Sequence, residues 1–62
     1  MRRFIVIESS DASYKNKLFL VETQIKQNVS LPFTSKEYRC VMFDGVKIKL
    51  INEEKYIIGM IM

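Results

Sequence analysis

The sequence predicts a mainly β domain: a small five-stranded, partly open barrel built on a C-terminal meander. Three observations lead there. From Tyr38 to Met62 the chain reads YRCVMFDGVKIKLINEEKYIIGMIM, where two runs rich in β-branched and aromatic residues meet at Asp44-Gly45, a strong hairpin signal. A third apolar run, Lys55 to Met62, follows the turn-like Asn52-Glu53-Glu54. Two more apolar runs, Arg3–Ile7 and Lys17–Thr23, precede them and are bounded by polar residues.

In Arg3–Ile7 (RFIVI), Phe4 and Val6 point one way and Ile5 and Ile7 the other, and both sets are apolar. Ser9 to Asn16 is polar and reads as a loop. Lys17–Thr23 (KLFLVET) is again apolar on both faces at Leu18, Phe19, Leu20 and Val21. From Val21 to Phe33 the odd positions are largely apolar and the even ones polar, a period of two that favours extended chain bent near Lys26-Gln27-Asn28. Val21, Ile25 and Val29 also fall at helical spacing, so a short helix competes there.

A second conflict covers Pro32 to Asp44. Thr34-x-x-Glu37 matches a capping box, and Gly45 could end a helix over 35–43. That alternative is an α+β fold, ββαββ. Tyr38-Arg39-Cys40-Val41-Met42-Phe43 is nevertheless a poor helix former and a good strand. A two-residue Asp44-Gly45 loop opposes Phe43 to Val46 and Val41 to Ile48. Val46 to Asn52 then turns Val46, Ile48 and Leu50 inward and Lys47 and Lys49 outward. In Tyr56–Met62, Gly59 signals a bulge, a bend or close approach of another backbone. Strands of this number and length suit an SH3-like or partly open barrel, where bent strands bury both faces.

Sixty-two residues make one domain, 1–62, too small to be stable by a large core alone. The usual staples are missing: the lone Cys40 cannot form an internal disulfide, and without histidine a zinc site lacks its ligands. Association is the remaining staple, and a hydrophobic content of 48 % in so short a chain points to it. Glu8 interrupts the apolar run after Arg2-Arg3, and no stretch approaches the roughly 20 apolar residues of a membrane span. A free cysteine without an export signal fits a reducing cytoplasm, the expected location. Abundant Ile and Lys hint at an AT-rich, phage- or plasmid-type gene.

Catalysis is hard to build from these residues. The commonest general base is absent, Cys40 has no histidine to activate it, and Glu53-Glu54 are adjacent turn residues. With only Gly45 and Gly59, there is no phosphate-cradling loop. The expectation is a non-enzymatic protein with no cofactor and no metal. Two binding classes remain.

Protein binding rests on surplus apolar faces. A barrel this small takes one face of each strand, leaving Phe19, Val21, Tyr56, Ile58, Met60 and Met62, with Ile5 and Ile7 or their alternates Phe4 and Val6, as interface candidates. A homodimer, by edge pairing or face packing, would cover them, and a protein inhibitor or regulator would use them on a target. Nucleic-acid binding rests on the charge of +3 and on Lys47, Lys49, Tyr38 and Arg39, extended by Arg2, Arg3, Lys15 and Lys17. Lysines on an exposed strand face also serve simply to keep an edge from pairing.

Overall fold

The computed structural model describes residues 1–62 and contains six strands: β1 (Arg2–Ser9), β2 (Leu18–Val21), β3 (Asn28–Ser30), β4 (Glu37–Phe43), β5 (Lys47–Asn52) and β6 (Lys55–Ile61). They form one sheet in the order β2-β1-β6-β5-β4-β3. Every neighbouring pair is antiparallel. The sheet curls into a half-barrel whose edges, β2 and β3, do not meet. No Cα of one comes within 8 Å of a Cα of the other. The partly open barrel of the sequence reading is therefore present, with six strands instead of five. The extra one is β3, a short piece of the extended 21–33 stretch.

The helical alternative over 35–43 is overturned, since β4 occupies Glu37–Phe43. Thr34 Oγ1 accepts from the Lys36 N–H at 3.2 Å and closes a turn, where a capping box would need the Glu37 N–H. The segment Tyr38 to Phe43 is then free to pair, and Tyr38 goes into the core. No helix spans 21–33 either.

The hydrophobic core lines the concave side: Phe4, Val6, Val21, Leu31, Tyr38, Ile48, Leu50, Ile57 and Ile61 are all buried. Alternation delivers them, interrupted by two bulges. On β1 the register with β6 shifts between Val6 and Glu8, which makes Ile7 the extra, exposed residue. On β4 it shifts between Cys40 and Met42, so Cys40 stays on the core side opposite Leu50 while Met42 faces out opposite Lys49.

The β4–β5 register differs from the one expected. Phe43 opposes Ile48, and the Asp44 N–H donates to the Lys47 carbonyl at 3.2 Å, so Gly45 and Val46 form the loop. The cause is Asp44, whose carboxylate accepts the N–H groups of Val46 and Lys47 at 3.1 and 2.6 Å. That Asx-type turn, with Gly45 at φ +96°, moves the loop one residue along. Val46 consequently lies exposed, not inside, whereas Ile48 and Leu50 are buried as expected.

Side chains bridge the open seam. Phe19 on β2 packs on Phe4 with ring centroids 4.8 Å apart and on Phe33, beyond β3, at 5.4 Å. Phe33 meets Tyr14 at 4.8 Å. Tyr14 sits on a single 3₁₀ turn, Ala12–Tyr14, within the stretch expected to be loop. Asp11 caps that turn by accepting from the Ser13 N–H at 3.0 Å and hydroxyl at 2.7 Å. An aromatic row thus replaces the missing backbone ladder.

Candidate binding face

The convex side of the sheet carries the apolar residues that the core does not use. The strand registers arrange them in rows. Leu18, Ile5, Met60 and Lys47 lie side by side across β2, β1, β6 and β5. The next row runs Glu8, Ile58, Lys49 and Met42 across β1, β6, β5 and β4. A third runs Tyr56, Ile51, Arg39 and Asn28 across β6, β5, β4 and β3. At the other end Leu20 lies beside Arg3.

The surface is therefore mixed. Leu18 and Leu20 are 55 % and 61 % exposed, and Ile5, Ile51, Tyr56, Ile58 and Met60 are half-buried. Among them stand the cations Arg3, Arg39, Lys47 and Lys49, opposed on this face by Glu8 and Glu37. Lys47 stands directly opposite Met60 in the β5–β6 ladder and is exposed, an arrangement in which a lysine stem can cover apolar surface. The face is suited to a partner with apolar contact groups and negative charge at its margins. No group of three or more cysteine and acidic side chains is placed to hold a metal ion.

The residues proposed from sequence divide on this geometry. Tyr56, Ile58 and Met60 share the outer face with Lys47, Lys49, Arg39 and Arg3, so residues assigned to two separate surfaces form one. Met62 is exposed at the chain end, where its N–H donates to the Arg3 carbonyl at 2.8 Å. Arg2 lies on the core-side register of β1 but at its exposed end, and Lys15 and Lys17 are exposed beside the 3₁₀ turn.

Three candidates belong to the interior. Val21 is buried and Phe19 is half-buried in the aromatic row, so on β2 the outward residues are Leu18 and Leu20. The odd-numbered apolar series Val21, Ile25, Val29, Leu31 and Phe33 runs back through Phe19. That continuity is the sequence signal that marks the odd side as core. Tyr38 is 1 % exposed and offers no stacking surface. Its hydroxyl is enclosed beside that of Tyr14, with no hydrogen bond of ordinary length. Burial pushes this phenol above its ordinary pKa, and the neighbouring Tyr14 hydroxyl and Asp11 carboxylate add to the rise.

A second apolar cluster was missed. The bulge at Val41 and the shifted loop leave Val41, Met42, Phe43 and Val46 exposed at the tip of the β4–β5 hairpin. The turn itself is well held: hydrogen bonds from the Lys47 and Val46 N–H groups keep the Asp44 carboxyl below the usual carboxylate range. The Asp11 carboxyl is lowered likewise by the Ser13 hydroxyl and N–H. No helix in the chain is long and apolar enough to cross a membrane. No family model, curated protein or solved structure matches this chain.

Proposed function

We propose that this protein is a non-enzymatic binding module that docks a protein partner on the convex face of its sheet and also self-associates. One observation carries the reading. Leu18, Ile5, Met60 and Ile58 form a continuous apolar strip across three adjacent strands, with Lys47 and Lys49 along its border. Soluble monomers seldom leave such a strip uncovered, and methionine adapts well to a partner surface. The bordering cations favour an acidic partner over a basic one. A short, Ile- and Lys-rich chain that acts by contact alone fits a cytoplasmic inhibitor or regulator of phage or plasmid type.

The test is a comparison of wild type with the double variant Ile58→Lys, Met60→Asp, both immobilised and exposed to host-cell extract. Wild type is expected to retain a discrete protein that the variant loses, with circular dichroism unchanged between the two. Identical retention by both would remove the convex face from consideration.

A second reading is nucleic-acid binding, favoured by the placement of Arg39, Lys47 and Lys49 on the same face as the half-exposed Tyr56 ring. It requires retention on a DNA or heparin column above about 0.2 M salt, with affinity falling as salt rises. Elution in the void volume would discard it.

A further inference from the structure

The two free edges of the sheet are built differently. On β3 the edge is only Asn28-Val29-Ser30, polar on its outward side and followed by Pro32. Short length, polarity and a nearby proline are ordinary defences of an edge against pairing. On β2 the edge is Leu18-Phe19-Leu20-Val21, with no charge, proline or bulge inside it. No strand of the fold pairs with it: no Cα of β3 lies within 8 Å of a Cα of β2, and the 24–30 segment meets Leu20 and Val21 only across an open cavity.

The backbone phase of that edge can be read from the ladder. The Val6 N–H donates to the Lys17 carbonyl and the Val6 carbonyl accepts from the Asn16 N–H, so at this end of the ladder the Lys17 carbonyl faces β1. Two residues along, the backbone groups of Phe19, opposite Phe4, and then of Val21, opposite Arg2, face β1 in the same phase. The N–H and C=O groups of Leu18 and Leu20 therefore point away from β1, out of the sheet. These are the two leucines whose side chains are more than half exposed.

We infer that β2 is the self-association edge, pairing antiparallel with β2 of a second copy so that Leu18 of each chain lies opposite Leu20 of the other. The inference rests on the self-association part of the reading above and names its surface. Symmetry restricts the register. A two-fold axis between antiparallel strands must pair residues whose backbone groups both face the edge, so Leu18 and Leu20 can meet each other or themselves but not Phe19 or Val21. Centring the axis on Phe19 engages both leucines of both chains and is the arrangement that uses every free group.

On the convex side Leu18 and Leu20 of both copies would join Ile5 and Met60 into one strip across the two sheets. The docking face would then be doubled, not consumed.

The experiment uses the intact protein and a Leu20→Pro variant. Proline at 20 removes only an N–H that points out of the sheet, and Phe19 before it is already extended, so the β1–β2 ladder stays whole. Light scattering on wild type should give twice the 7.3 kDa chain mass, and Leu20→Pro should give a folded monomer. Amide exchange on wild type supplies a readout without mutation: Leu18 and Leu20 should be protected in the dimer and lose that protection on dilution. A wild-type monomer up to millimolar concentration would overturn self-association and this edge together. A dimer whose Leu18 and Leu20 amides exchange freely, or one that persists in Leu20→Pro, would overturn the edge alone and leave self-association standing.

Discussion

The ring of Phe4 occupies the space that any side chain at Gly59 would need. A Cβ on Gly59 would sit 2.6 Å from Phe4 Cε1 and 2.6 Å from the Ile5 carbonyl oxygen, well inside contact distance. Gly59 pairs with Val6 on one side and Ile48 on the other, at the centre of the sheet. Its φ is not positive, so this glycine is required for space and not for backbone freedom.

Gly59→Ala should therefore destabilise the protein by about 3 kcal/mol, the upper range for overpacking a core. In a domain this small, a loss of that size lowers Tm by roughly 12–24 °C. Adding Phe4→Leu to Gly59→Ala separates the two contacts. Partial recovery of Tm assigns the cost to the ring, whereas no recovery assigns it to the Ile5 carbonyl.

The β5–β6 turn is strained. Glu53 and Glu54 have φ of 47° and 70°, a left-handed pair that an Asn-Gly dipeptide adopts far more readily. The double substitution Glu53→Asn, Glu54→Gly should stabilise the hairpin by about 1–2 kcal/mol. The Lys36–Glu53 contact that is lost, 3.8 Å long and exposed, offsets little of this. Thermal melts of the two proteins check it, and an unchanged or lower Tm would show the turn to be unstrained.

Tyr38 offers a test of the core. Its hydroxyl is buried with no hydrogen bond of ordinary length, so Tyr38→Phe should be neutral or stabilising by up to about 1 kcal/mol. Because the folded phenol titrates above its unfolded value of 10.0, the native state holds this proton longer. Stability from this group is intact below pH 10 and falls as pH rises from there through the folded pKa. Denaturant titrations of wild type and Tyr38→Phe between neutral pH and pH 11 should diverge only above about 10. Parallel curves throughout would show that Tyr38 does not titrate differently on folding.

Asp44 should show the opposite dependence. Its folded pKa lies below the ordinary value of 3.8, so its contribution is present above that pH and is lost as acid protonates the carboxylate. Asp44→Ala should speed amide exchange at Val46 and Lys47, which the carboxylate now caps, while leaving Ile57 and Val6 protected. Equal exchange in both proteins would mean that the loop is set by Gly45 alone.

Much of the fold was legible in the chain. Alternation separated Phe4 and Val6 from Ile5 and Ile7, and placed Ile48 and Leu50 inside and Lys47 and Lys49 outside, because a residue's side of a strand follows from a period of two. Composition alone removed histidine-based catalysis and disulfides from consideration. Local chemistry marked a hairpin near Asp44-Gly45, whose loop lies one residue along at Gly45-Val46, and the turn at Glu53-Glu54, which lies where expected.

The tertiary structure decided what alternation cannot. A bulge adds one residue and inverts every position beyond it, so Glu8 turned outward and Val41 became exposed without a mark in the sequence. Phe19 and Leu20 are equally apolar within their own strand; the odd-numbered series that continues to Phe33 hints at Phe19, and the aromatic row across the seam fixes it as the inward one. The merging of Lys47, Lys49, Ile58 and Met60 into one face depends on which strands are neighbours. That is a property of long-range pairing, which no local window of residues contains.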